Sequence, residues 1–192
     1  SGDKRLFLYV FLSFLFVLPF VISLANLLVF DEGTGAGFSG VGSAFFGLLP
    51  VSLFLFVRNR VSESVGPAHA VVLFLAAVGV TALIYSGVLS AVAIFLVTVL
   101  LTIYYVRQIG TGELREVFSV LSDSMGYNQL VLLSCFLFLA SPTVLFPQNI
   151  AQEGSFVNIF SHYLGLVLGF FLPYIYLIYR EQKTEDLVFR VG

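Results

Sequence analysis

Apolar positions along this chain do not alternate with polar ones; they run together in long blocks separated by short polar breaks. Residues 6–30, 40–57, 67–85, 88–106, 130–146 and 156–179 contain no Asp, Glu, Lys or Arg. A bilayer core about 30 Å thick is crossed by roughly 20 apolar residues in a helix, the form that satisfies every backbone polar group within its own segment. The pattern therefore predicts six transmembrane helices. The third and fourth blocks nearly run together, and Tyr85-Ser86-Gly87 is the only break between them. As one helix they would extend about 60 Å, twice the core thickness, so a tight helical hairpin is expected there. Pro67 suits a first helical turn, where its missing N–H is not needed.

The basic residues add an orientation. With six spans, the ends and alternate loops fall on one side, and that side receives Lys4, Arg5, Arg58, Arg60, Arg107, Arg115, Arg180, Lys183 and Arg190, all nine in the chain. The opposite side holds Asp31, Glu32 and Glu153. The positive-inside rule then puts both termini in the cytoplasm, and the cell (plasma) membrane is the expected location. The cytoplasmic loop 107–129 contains "GTGELREVFSVLSDSMGYNQ", in which Leu114, Val117, Phe118 and Leu121 recur at helical spacing, as in a short helix at the interface. Residues 180–192 read as a solvated cytoplasmic tail. No repeat or low-complexity linker divides residues 1–192, so a single integral membrane domain is expected.

Composition agrees and narrows the chemistry. The 192 residues are 59% hydrophobic and 10% charged, with mean hydropathy +1.03, so most of the surface must face lipid. A net charge of −2 gives no basic face for nucleic acid. The lone Cys135 excludes an intrachain disulfide, and with two histidines it cannot build a structural zinc site. No metal or cofactor is expected. The chain begins Ser-Gly-Asp, and its first apolar block is long enough to span, so a cleaved signal peptide is not expected. Spans without Asp, Glu, Lys or Arg argue against a proton- or ion-coupled transporter.

Two polar residues, one inside an apolar block and one at the mouth of another, have chemistry to offer. His162 precedes Arg180 by eighteen residues and Ser39 precedes Arg58 by nineteen. At 1.5 Å per residue, each lies roughly 27–29 Å above an inner-face arginine, on the same side and at nearly the same depth. Pro50 and Pro173 each follow eleven residues later. A serine hydroxyl becomes a useful nucleophile when a neutral imidazole accepts its proton, and imidazole can take and return that proton near neutrality. Backbone N–H groups at the start of a helix could receive an oxyanion beside Ser39. Gly37 and Gly40 would let the chain turn sharply and approach a substrate carbonyl. Gly165 and Gly169 form one small-residue stripe, and Ser39, Ser43 and Gly47 another, so that the two helices could pack closely. His69, at the cytoplasmic start of the third span, is read as structural.

At these residues the chain resembles the rhomboid family of intramembrane serine proteases. "GFSG" at 37–40 is similar to the family's Gly-x-Ser-Gly, and "HYLGLVLG" at 162–169 to its His-x-x-Gly-x-x-x-Gly on the last core helix. The resemblance implies an all-α, polytopic bundle of six transmembrane helices, with Ser39 as nucleophile and His162 as general base. It implies that transmembrane segments of other proteins are the substrates, cut within the lipid bilayer without metal or cofactor. The family's His/Asn oxyanion pair has no direct counterpart, and Asn26 and Asn158 are the candidates to stand in for it. Here the serine lies on the second of six spans instead of the fourth. Either two helices precede this segment or the inserted pair takes their place. Ser43 occupies the position where the family often has a tyrosine beneath the imidazole. Two other readings stay open: a catalytically inactive rhomboid-like protein that binds client membrane helices, and a small transporter or structural membrane protein.

Overall fold

The computed structural model describes residues 2–29, 38–63, 65–85, 87–109, 111–146, 151–152, 155–156 and 159–191. The helices in chain order are α1 (Gly2–Phe16), α2 (Leu18–Val29), α3 (Phe38–Arg60), α4 (Ala68–Tyr85), α5 (Val88–Ile109), α6 (Thr111–Asp123), α7 (Met125–Leu145) and α8 (Ile159–Val191). The only strands among the described residues are β1 (Ala151–Gln152) and β2 (Ser155–Phe156), a two-rung antiparallel ladder. Apart from this short ladder, every element among the described residues is a helix. Ser39–Arg60, Val88–Arg107, Met125–Leu145 and Ile159–Arg180 are long and apolar enough to cross a membrane, and the bent pair α1–α2 makes a fifth candidate. By length and apolar content the described residues thus hold four to five span candidates, against six hydropathy blocks. The difference lies in α4, whose apolar stretch His69–Ile84 is shorter, and in the broken first block.

The chain divides into two compact units. The first comprises Ser1–Leu48 and Phe160–Gly192, bringing together α1, α2, the first half of α3 and α8. The expected single span over 6–30 is instead two helices bent by 42° at Val17. Pro19 is the cause. It has no N–H for the carbonyl of Leu15, and its ring would collide with that carbonyl in a continuous helix. Phe20 N–H turns to the Val17 carbonyl at 3.1 Å, and Val21 N–H shares the same acceptor at 3.2 Å. The core of this unit is Phe14, Leu18, Ile22, Ala44 and Leu48, flanked by Val10, Phe45, Leu164 and Leu168. The Phe14 and Phe45 rings meet edge to face at 5.6 Å. α8 stays helical to Val191, so residues expected as a solvated tail continue its last turns.

The second unit, Leu49–Ile159, is built around the α4–α5 hairpin. Gly87 adopts φ +90° between the two helices, a left-handed value that only glycine takes without penalty. Phe95 of α5 lies against Gly79 of α4, where an added Cβ would stand 2.9 Å from the ring. α7 packs on the other side of α4, with Phe74 and Phe138 stacked at 6.5 Å and both buried. The short helix read from Leu114, Val117, Phe118 and Leu121 is α6, Thr111–Asp123; the rest of the connecting segment 107–129 is largely helical too, since α5 runs to Ile109 and α7 starts at Met125. His69 Nδ1 donates to the Gly66 carbonyl at 2.8 Å, securing the start of α4. Val88, Leu89, Val92, Leu96, Val97 and Leu100 on α5 and Leu132, Leu133 and Phe136 on α7 are exposed. So many large apolar side chains on the outside suit lipid, not water.

Candidate active site

Ser39 is the second residue of α3, and its side chain is exposed. Immediately below it the helix becomes buried: Val41, Ser43, Ala44, Gly47 and Leu48 all face inward. This change follows from the seam that α3 forms with α8. A Cβ placed on Gly165 would run into the carbonyl of Gly40, and one on Gly169 into the carbonyl of Ala44. A Cβ on Gly47 would meet the Leu166 carbonyl and lie 3.0 Å from Phe170 N, while one on Gly40 would lie 2.8 Å from the Ser161 carbonyl. Backbone touches backbone along this line, which only small residues permit.

The register of the seam fixes its direction. Gly40 pairs with Gly165 and Ala44 with Gly169, one α3 turn answering one α8 turn in the same sense. The two helices therefore run parallel. At this register His162 lies two residues above the level of Ser39, a difference of about 3 Å along the axis. Direction around the axis matters as much as depth. Ser39 precedes the contact residue Gly40, and His162 follows the contact residue Ser161. In a right-handed helix each residue advances about 100°. For parallel neighbours, the residue before a contact on one helix and the residue after a contact on the other turn toward the same side of the seam. His162 is half-buried and Tyr163 beside it is exposed. No hydrogen bond joins Ser39 to His162 among the described residues. Catalytic hydrogen bonds are often long before substrate binds.

The seam uses different residues on α3 from those the sequence pattern picked out. Gly40, Ala44 and Gly47 make the contact, in place of Ser39, Ser43 and Gly47. Ser43 is fully buried, and its hydroxyl donates back to the Ser39 carbonyl at 3.2 Å. That bond spends the hydroxyl within α3, one turn below the exposed serine.

α2 closes over the seam. The Ile22 side chain lies 2.6 Å from where a Gly40 Cβ would be, and Ile22 is completely buried. One turn on, Asn26 Nδ2 donates to Ser161 Oγ at 2.7 Å, and both groups are buried. Asn26 thus lies beside the pair, with its amide engaged by the residue that precedes His162. Ser161 was not picked out from the sequence, although Ser161, Gly165 and Gly169 form one continuous small-residue stripe at four-residue spacing. Gly37 and Asn158 lie outside the described residues. Among the described residues no group of three or more His, Cys, Asp or Glu side chains could hold a metal ion.

Comparison with known proteins found no matching family model, no matching curated protein and no matching solved structure.

Proposed function

We propose that this chain is an intramembrane serine protease of rhomboid type, with Ser39 as nucleophile and His162 as general base. The observation that carries the reading is the parallel α3–α8 seam, in which Gly40 packs against Ser161 and Gly165. Ser39 and His162 flank those contacts at adjacent levels and turn toward one side. In this reading the chain crosses the membrane six times, through the α1–α2 pair, α3, α4, α5, α7 and α8. Both termini are cytoplasmic, by the placement of all nine basic residues, and the pair opens near the outer face of the cell membrane.

Ser39 Oγ attacks the scissile carbonyl of a transmembrane segment as His162 takes its proton. The first turn of α3 offers backbone N–H groups without intrahelical partners, and these receive the oxyanion. Collapse of the tetrahedral intermediate breaks the peptide bond, and His162 returns the proton to the leaving amine. Water, activated by the same imidazole, then hydrolyses the acyl-enzyme and restores Ser39. Exposure of Ser39 at the top of an otherwise buried helix face fits a hydroxyl that must meet a second chain.

The test is cleavage of a transmembrane reporter by the purified protein in lipid vesicles. Ser39→Ala and His162→Ala are each expected to lower the rate by about 10²–10⁴-fold without loss of folding. Cleavage that survives either substitution would refute the assignment. A protein that retains reporter binding with no cleavage in the unaltered chain would instead be a client-binding relative of the same architecture. The burial of Ser43 against the Ser39 carbonyl, away from any support of the imidazole, is what favours that second reading.

A further inference from the structure

We infer that Asn26 is a positioning residue that holds His162 in register with Ser39 by anchoring Ser161. This inference rests on the reading of Ser39 and His162 as a working pair.

The first turn of a helix is its loosest part, because its N–H groups lack partners inside the helix and the end frays. His162 is the fourth residue of α8, inside that turn. Two attachments bracket it. Three residues below, Gly165 is pressed against the Gly40 carbonyl. One residue above, Ser161 receives the Asn26 amide at 2.7 Å. Removing the upper bond takes from the turn that carries the imidazole its directional tie to α2, leaving the steric contacts of Ser161 and Gly165 with Gly40. A rotation of one helical step is about 100°, enough to swing the ring off the side that Ser39 faces.

Why would these two residues bond each other? A serine within a helix commonly satisfies its hydroxyl on the carbonyl one turn back. Ser161 is the third residue of α8, in the first turn of the helix. Ser43, inside α3, donates its hydroxyl to its own helix, whereas Ser161 Oγ is the acceptor for an amide on α2. Asn26 is the only Asn, Asp, Gln, Glu, Lys, Arg or His in α2, and it is 5% exposed. An amide buried among apolar side chains must be bonded, which makes the contact directional as well as close. Ile22, one turn before Asn26, packs on Gly40. A single helix face therefore touches both helices of the seam, steric on the serine side and hydrogen-bonded on the histidine side.

A cross-linking experiment on the full chain in vesicles tests this without relying on activity. In a Cys135→Ser background, Ser39→Cys and His162→Cys are oxidised, and a disulfide forms only where the Cα atoms come within about 7 Å. The pair is expected to cross-link with Asn26 intact, and the yield to fall at least about threefold with Asn26→Leu, a substitution that keeps bulk but removes the donor. Ser161→Ala, a smaller change that removes the same bond from the other side, must act alike. The double variant must be no worse than either single one, as for two residues acting through one contact. In the otherwise unaltered protein, Asn26→Leu is expected to lower kcat about ten- to a hundredfold with KM unchanged, the pattern of a displaced base and not of lost binding. Equal cross-linking with and without Asn26, or additive effects of the two substitutions, would overturn the inference and leave the pair standing. No cross-link with Asn26 intact would remove the pair itself, and the inference with it.

Discussion

Glycines in this chain differ in what they do, and their surroundings say which substitutions will matter. Gly165 and Gly169 on α8 have no room for a Cβ, because carbonyls of α3 occupy the space. A carbonyl in a helix cannot rotate aside as a flexible side chain can, so the helices must separate to admit a methyl group. Gly165→Ala is expected to destabilise the folded protein by about 1–3 kcal/mol, the range for forcing extra volume into a packed contact. Gly42, midway between the seam residues Gly40 and Ala44 but on the exposed face of α3, has nothing within 4 Å of its Cβ position. Gly42→Ala should be neutral or stabilising by up to about 1 kcal/mol, through the restricted unfolded chain. Denaturation in mixed detergent micelles would rank the two; equal effects would mean that the α3–α8 seam does not exist as described.

How far the site could be read from the residues alone is visible at the same scale. Depth was accessible: counting from Arg58 and Arg180 put Ser39 and His162 at one level, because a helix rises by a fixed amount per residue. The contact face of α3 was not. Ser39, Ser43 and Gly47 and the actual set Gly40, Ala44 and Gly47 are both small-residue stripes, and they differ by one residue of rotation. Only the partner helix chooses between them. Ser161 was hidden for a related reason: its significance lies in Asn26, 135 residues away in sequence.

Among the helices, the lipid-facing surfaces and the turns obey simple rules while the breaks do not. The hairpin between α4 and α5 needs a chain reversal within a few residues, and glycine supplies it through φ +90° at Gly87. An added Cβ there would meet nothing within 4 Å, so substitution isolates the backbone penalty from packing. Gly87→Ala is expected to cost about 1–2 kcal/mol, measured by the same denaturation assay, and to leave the rest of the protein unchanged. No loss of stability would mean that the turn takes another conformation. Pro19 shows the opposite case. An uninterrupted apolar run from residue 6 to 30 reads as one span on hydropathy, which is blind to a missing N–H. Its effect is a 42° bend that brings Ile22 and Asn26 over the seam. The break that escaped the hydropathy pattern is thus part of what positions the candidate site.

For the molecule as a whole, the all-helical architecture follows from the solvent. Long apolar blocks in lipid must bond their own backbones, and helices do so within each block. The orientation proposed here rests on charge placement, and the chemistry on two side chains from blocks more than a hundred residues apart. The most direct measurement is labelling of the purified protein in vesicles with a fluorophosphonate, followed by mass spectrometric location of the adduct. An activated serine should carry the label at Ser39, and His162→Ala should abolish it, since the hydroxyl reacts only when a base accepts its proton. Absence of label from the unaltered protein, or label at Ser39 undiminished by His162→Ala, would contradict a Ser39–His162 protease.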